Sequence, residues 1–363
     1  MPVKHLLPAR EAVGDATGRL RREIRDFLAG YDFSPRIDGW VTGWDPALSA
    51  ELGRRGWVGM AIPVEFGGHG RSPLERHVVA EELVAAGAPV AYHWFADRQI
   101  APAMLRYGSE YQRGRYLPAI AGGTHSFALG LSEPDAGSDL AAVRTKAAPA
   151  EGGWLLTGVK LWTSNAHRAD SMTVLARTGR TSTTPRAQAL SQFIVDLPAK
   201  GLTVRPIRQL GGGHHFNEVH FDNVFVPDEQ VLGSIGEGWQ QVTSELAWER
   251  SGPERFLSTY PLLAAAIEDG GPTTAIGSLC GAMWTMHAMS LRVAAALTRG
   301  ETPAVAAALV KDLGTALEGD LVDRLDAADE TLRESAVLSS PGFTLRGGST
   351  EILRGIVAKE LTR

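Results

Sequence analysis

Cysteine is nearly absent from the chain, with Cys280 alone. One thiol cannot close an internal disulfide, and no Cys/His set has zinc-ligand spacing, so no metal site is expected. The neighbours of Cys280, residues 277–281, are small and apolar, which predicts a buried and inert thiol. Long apolar runs are also missing. No uninterrupted stretch reaches the ~18 residues that a membrane span needs. Met1-Pro2-Val3-Lys4 leads into a charged helix without the apolar region of a secretory signal. A reduced, cytoplasmic setting is the expectation. Excess positive charge is lacking too: the net charge of −5 gives no field to attract nucleic acid or an anionic membrane. Only local positive pockets for a phosphate-bearing ligand remain open.

What is present is a chain of 363 residues, 44% hydrophobic and 21% charged, the balance of a globular protein too long for one ordinary core. Periodicity divides it into three zones. From Arg10 to about Gly123 the pattern is helical, with Leu20, Ile24 and Leu28, then Val79 and Leu83, at four-residue steps. Pro63, Gly67, Gly68 and Gly70 mark a loop within that zone. From about Ser126 to Leu232 apolar residues alternate: Met172, Val174 and Ala176; Leu202 and Val204; Val219 and Phe221. Turns are expected at Gly152-Gly153, Gly211-Gly212-Gly213 and Asp222-Asn223. From Gly238 helices return. Residues 262–267 and 283–297 predict two bundle helices, separated by the stop Asp269-Gly270-Gly271-Pro272. Val305, Leu309, Leu313, Leu317, Leu321 and Leu325 predict a helix buried on much of its circumference. Residues 339–348 read as a loop and 350–361 as a last helix. The fold class is therefore mainly α with an inserted β domain: an N-terminal α-helical domain (1–125), a middle β domain of barrel or sandwich type (126–235) and a C-terminal α-helical bundle (236–363).

Four segments carry chemistry. Leu131-Ser132-Glu133-Pro134-Asp135-Ala136-Gly137-Ser138-Asp139 follows a predicted strand, 127–131, and its small residues and turn backbone form a nest for a phosphate or a ring edge; a plain Asp-Gly turn is the competing view. In Lys160-Leu161-Trp162-Thr163-Ser164-Asn165, a strand-end Trp offers a flat face to a planar ring and Ser164 a hydroxyl to a ring nitrogen, against a core Trp and a turn Ser. In Ser244-Glu245-Leu246-Ala247-Trp248-Glu249-Arg250-Ser251, Glu249 beside Trp248 suits a base whose pKa dry surroundings raise, against a surface Glu pairing with Arg250. Arg346-Gly347-Gly348-Ser349-Thr350-Glu351-Ile352 reads as a loop running into a helix N-terminus, whose free N–H groups bind an anion or polarised carbonyl; an ordinary capped helix is the alternative. His214-His215 is discounted as a metal site because adjacent residues on a strand face opposite ways. Gly67-Gly68-His69-Gly70 lacks the spacing of a dinucleotide fingerprint.

In this order and spacing, the four segments resemble the acyl-CoA dehydrogenase family over nearly the whole chain. Gly56-Trp57, Pro63 to Gly70, Gly108 to Pro118, Phe216-Asn217-Glu218-Val219 and Val224-Phe225-Val226-Pro227 add to the likeness. The resemblance implies FAD as cofactor and α,β-dehydrogenation of an acyl-CoA thioester. It implies that Leu129, Leu131 and Ser132 line the flavin and acyl chain, that Gly137 and Ser138 approach cofactor phosphates or the thioester tail, that Trp162 packs on the flavin and Ser164 faces its N5 side, and that Ser349 and Glu351 lie near the FAD. Arg250 and Ser138 are expected to contact substrate.

Two departures from the family's commonest pattern stand out. Where many members carry the base, this chain has Gly347, whose backbone N–H remains available to polarise the thioester carbonyl. A minority place the base on the first helix after the β domain, which matches Glu249; Glu245 and Glu254 are the fallback carboxylates. The Arg-x-x-Phe-Gly and Gly-Gly-x-Gly stretches that reach a neighbouring subunit's FAD are absent, and Asp269–Pro272 and residues 320–341 stand in their place. That layout resembles members acting as paired, unlike subunits on bulky steroid side-chain thioesters, and implies a homologous partner chain, with an electron-transferring flavoprotein as acceptor. A homo-oligomer, a non-catalytic or half-site subunit, and a carrier-protein dehydrogenase or oxidase on the same fold are the alternatives.

Overall fold

The computed structural model describes residues 15–179, 185–271, 273–326 and 329–362; for residues 15, 16 and 245–249 it describes backbone only. The expected features at Met1–Lys4 and Pro272 lie outside these residues. The chain divides into two compact units that interleave along the sequence: one comprises 45–70 and 92–245, the other the residues up to 44, 71–91 and those from 246 onward.

The first unit contains the sheet. Its strands are β1 (Phe127–Gly130), β2 (Lys146–Ala150), β3 (Gly153–Lys160), β4 (Ser171–Arg177), β5 (Leu190–Asp196), β6 (Leu202–Pro206), β7 (Asn217–Pro227) and β8 (Val231–Leu232). They are ordered β6-β7-β3-β2-β4-β5-β8, and β1 pairs in parallel with β4 so that Phe127 lies opposite Ser171 and Gly130 opposite Val174. Leu156, Val174, Phe193, Val219 and Val226 form the centre of the core. β4 is buried from Ser171 through Ala176, so its apolar alternation does not separate a wet face from a dry one. The expected turn at Asp222-Asn223 is not a turn. Both residues lie inside β7, where Leu156 pairs with Val224 and Gly158 with Phe221, leaving Thr157 opposite two residues. This is a β-bulge, and Asn223 supplies its left-handed backbone at φ 50°.

Helices of the same unit start where capping chemistry dictates. Ser109 and Gln112 form a reciprocal capping box on Glu110–Ala121. Gln112 then extends past its cap and donates from Nε2 to the Glu229 and Val231 carbonyls, both at 2.8 Å, tying this helix to the edge strand β8.

The second unit is helical. Asp15–Ala29 turns Leu20, Ile24 and Leu28 inward against Pro73–Ala85, which buries Val79 and Leu83. Arg25 pairs with Glu82 across that contact at 2.6 Å. Thr273–Thr298 packs on Ala304–Arg324, which packs in turn on Thr350–Leu361. The four-residue stripe is buried only at its far end: Leu317, Leu321 and Leu325 are covered, whereas Leu313 is 46% exposed. Cys280 is exposed, not buried. It shares an open face of Thr273–Thr298 with Gly277, Gly281 and Trp284, the last 73% exposed. Small neighbours there mark a face without bulk rather than a core.

Candidate active site

The turn after β1 is built over a buried ion pair. Lys160, fully buried at the end of β3, donates from Nζ to Glu133 at 2.8 Å and to the Leu131 carbonyl at 2.9 Å. Glu133 also accepts from the Arg144 and Thr145 backbone N–H groups, at 2.5 and 2.8 Å. Burial pulls the Lys160 ammonium down to about 8 against the pull of Glu133. For Glu133, burial raises the pKa, but the Lys160 charge and the hydrogen bonds outweigh it and the net shift is downward. The pair fixes the Leu131-Ser132 backbone, and Leu161 N–H donates to the Ser132 carbonyl at 2.9 Å. Two segments that read separately in the sequence, 131–138 and 160–165, are thereby joined.

On that base Trp162 sits in the left-handed region at φ 59° with 54% of its surface exposed, its ring edge-on to Phe216 at 5.6 Å. Thr163 pairs with Asn217 through both backbone hydrogen bonds at 3.0 Å, and the Asn217 amide donates again to the Thr163 carbonyl. Ser164 is half-buried beside it; Leu129, Leu131 and Ser132 are likewise partly covered, and Gly137 and Ser138 are exposed. Nothing lies within 4 Å of a Cβ built on Gly137, so backbone approach there is open. At Gly130 a Cβ would meet Met172 Cε at 2.7 Å, so a larger residue there would have to displace the end of the Met172 side chain. An exposed indole held by strand backbone, an adjacent hydroxyl and an open glycine turn fit an isoalloxazine and a pyrophosphate chain.

Of the remaining expected residues, Glu245 ends the sheet-containing unit and the others belong to the helical unit. Glu249 lies in the helix Gly238–Arg250; its side chain, and that of Glu245, fall outside the described residues. Arg250 is buried and donates from Nε to the Gly347 carbonyl at 3.3 Å. Gly347 and Gly348 both have left-handed backbone, at φ 70° and 100°. Ser349 occupies the N-cap of Thr350–Leu361 without capping through its side chain, and Glu351 is exposed, its carboxyl held below the usual range by its own N–H and the Ser349 hydroxyl. The fallback Glu254 is 1% exposed and 3.5 Å from Arg255, which commits it to an internal ion pair.

A charge network around this loop escaped the sequence reading. Arg346 pairs with Asp38 at 2.6 Å and lies 3.7 Å from Glu318. Glu318 accepts from Ser258 N–H at 3.1 Å, and burial pushes its carboxyl up to about 7 in spite of Arg346. Lys311, also buried, donates to the Phe343 carbonyl at 2.9 Å. Trp40 donates to the Ser258 hydroxyl at 2.9 Å, and the guanidiniums of Arg255 and Arg346 lie 5.3 and 5.1 Å from its ring centre. The one available signal was an internal one: Lys311 and Glu318 interrupt the apolar period of Ala304–Arg324 on its covered side.

The described chain is α-helical with an inserted sheet, and it carries an exposed indole at a strand end and a glycine loop before its last helix. The family descriptions "Acyl-CoA dehydrogenase, N-terminal domain" and "Acyl-CoA dehydrogenase, middle domain" match residues 15–124 and 128–224, together more than half of the chain. The chain belongs to the acyl-CoA dehydrogenase family, whose members are FAD-dependent. It is 33% identical over 314 residues to acyl-CoA dehydrogenase FadE34 of Mycobacterium tuberculosis, a match covering 81% of this chain and 43% of that protein. It is 38% identical over 214 residues to acyl-CoA dehydrogenase IpdE1 of Mycolicibacterium smegmatis, covering 56% of this chain and 54% of that protein. The matches thus span about half the length of these curated relatives. Among solved structures, the Tcur3481-Tcur3483 steroid ACAD matches with TM-score 0.85 and 27% identity, covering 97% of this chain and 98% of that one. A chain of the ChsE4-ChsE5 complex of M. tuberculosis matches at 0.83 and 25%, covering 98% and 99%. No helix of the described residues is long and apolar enough to cross a membrane.

Proposed function

We propose that this chain is an FAD-dependent acyl-CoA dehydrogenase that removes the α proton and β hydride of a bulky acyl thioester, of the steroid side-chain kind. The observation that carries the proposal is the platform: Trp162 exposed in left-handed backbone at a strand end, with the turn 131–138 braced beside it by Lys160 and Glu133. Leu129, Leu131, Ser132, Gly137, Ser138, Trp162 and Ser164 hold the cofactor on this side; Ser349 and Glu351 contribute from the last helix. When bound, FAD supplies the acceptor for the β hydride. Glu249 takes the α proton, the C–H pair left behind forms the new double bond, and the Gly347 N–H donates to the thioester carbonyl to make the α C–H acidic enough. Arg250 and Ser138 hold the thioester tail.

A homologous partner chain completes the assembly in this proposal. Support comes from the missing cross-subunit stretches and from the two structural relatives, one named for two chains and the other a two-chain complex. Electron-transferring flavoprotein is the proposed acceptor. The same missing stretches favour a second possibility, a non-catalytic chain that only stabilises an active partner subunit. Both are tested by Glu249→Gln in the co-expressed assembly. It is expected to keep the yellow flavin absorbance and to lose anaerobic bleaching by a steroid side-chain CoA thioester by a factor on the order of 10²–10⁴. Bleaching at the wild-type rate would move the base elsewhere and favour the non-catalytic role. Oxygen consumption during turnover would point to an oxidase.

A further inference from the structure

Position 347 is more than a glycine that lost a carboxylate. A Cβ built on Gly347 meets three atoms of the Arg255 guanidinium, Cζ and Nη1 at 3.2 Å and Nη2 at 3.3 Å. One built on Gly348 meets Arg250 Nη2 at 3.3 Å and Nε at 3.6 Å. Both residues also have positive φ, where a side chain strains the backbone whatever the space. The turn is therefore pressed against two buried guanidiniums, Arg250 at the end of Gly238–Arg250 and Arg255 shortly after it, 8% and 3% exposed. Arg255 is not free to swing aside: Glu254 lies 3.5 Å from its Nε and the Trp40 ring is beneath its guanidinium, 5.3 Å to the centroid. The same ring meets Arg346, the first residue of the turn, which Asp38 holds at 2.6 Å. Trp40 is itself fixed through its indole N–H to Ser258.

We propose that Arg255 is a positioning residue for the reaction: seated between Trp40 and Gly347, it presets the 346–348 turn so that the Gly347 N–H is presented for carbonyl polarisation, and it excludes any side chain, including an acid, from position 347. The inference rests on the role given to Gly347 above. It explains why both glycines are needed together and why the base has to come from the helix Gly238–Arg250. A planar guanidinium against an indole is a shape requirement, so a lysine, carrying the same charge on a flexible stem, does not reproduce it.

The test uses the co-expressed holo assembly with Arg255→Leu, Arg255→Lys, Trp40→Phe and Arg255→Ala/Gly347→Ala. Two readouts are taken. One is amide hydrogen exchange of peptides covering 343–353; the other is the single-turnover rate of flavin reduction by a steroid side-chain CoA thioester, against its saturation constant. Expected for Arg255→Leu is faster exchange confined to 343–353, a reduction rate lower by on the order of 10²-fold, and a saturation constant changed by less than about threefold. Arg255→Lys is expected to recover only part of the rate, whereas Trp40→Phe, which keeps a flat ring, is expected to stay within about tenfold of wild type. Gly347→Ala alone is expected to lower the rate, and the same substitution added to Arg255→Ala to lower it by a smaller factor, because the collision with the guanidinium is gone and only the strain of positive φ is left. Unchanged exchange at 343–353 in Arg255→Leu, or additive effects in the double variant, would overturn the positioning role. Faster exchange with an unchanged reduction rate would instead overturn the assignment of Gly347 as the polarising group, and with it the catalytic half of the proposal. Should Arg255→Leu fail to fold, Arg255→Lys and Trp40→Phe carry the same two readouts.

Discussion

Lys160 shows how a residue can be quoted in a motif and its work still be missed. In sequence it stands two residues before the strand-end Trp162, where a solvated lysine is the ordinary expectation. In the structure it is fully buried and braces the 131–138 turn together with Glu133. Removing one partner of such a pair leaves the other charge uncompensated. Lys160→Met should therefore destabilise the protein by about 3–5 kcal/mol, measured by denaturant unfolding of the apo chain. Adding Glu133→Gln should restore part of that loss. Glu318 permits a pH prediction. Burial pushes its carboxyl in the folded chain up to about 7, above the ordinary glutamate value of 4.5. The folded state thus binds the proton more tightly than the unfolded state does, so its contribution is fully present below pH 4.5 and is lost as pH rises through 7. Glu318→Gln should leave the thermal midpoint unchanged near pH 4 and raise it above pH 7, relative to wild type. Equal shifts at both pH values would show that the carboxyl titrates normally. The placement of Trp162 and Ser164 just past a strand end was legible because flat and hydroxylated side chains there stand out in a motif. Buried charges such as Lys160, Glu318 and Arg255 were not, because burial is settled by partners far away in the chain.

At the scale of elements, period was a good guide and punctuation a poorer one. The last helix runs over Thr350–Leu361 as the sequence suggested, and the strand zone folds as a sheet. Asp222-Asn223 has turn chemistry yet sits inside β7, because the preference of Asn for left-handed backbone serves a bulge as well as a hairpin. Asn223→Val should accordingly cost about 1–2 kcal/mol of stability, and Asn223→Gly well under that, by the same unfolding measurement. The helix Ala304–Arg324 is buried on much of its circumference as expected, although Leu313 is exposed, whereas the expectation for Cys280 failed because small residues at helical spacing say that a face is smooth, not what covers it. The open face carrying Cys280 and Trp284, and the exposed Leu313, belong to helices whose other sides are the ones packed.

On the scale of the whole molecule, the order helix, sheet, helix was visible in the sequence, whereas the interleaving of the two compact units was not. Residues 45–70 group with the sheet, and 71–91 group with the C-terminal helices, because contacts rather than sequence adjacency decide membership. Family membership came through motif order rather than any single segment, since each alone also fits an ordinary turn, cap or core residue. The partner chain is an assembly-level proposal with an assembly-level check. Expressed alone, this chain should purify with flavin well below one per chain, and co-expressed with its homologous partner it should retain flavin and change mass to that of a mixed oligomer.

The account turns on which carboxylate meets the substrate's α carbon. Incubating the holo assembly with a steroid side-chain CoA thioester in D₂O, without an electron acceptor, and following α deuterium by mass spectrometry reads that step directly. Wild type is predicted to incorporate deuterium at the α carbon, and Glu249→Gln, with its flavin retained, to incorporate none above background. Incorporation by Glu249→Gln at the wild-type rate would contradict the account.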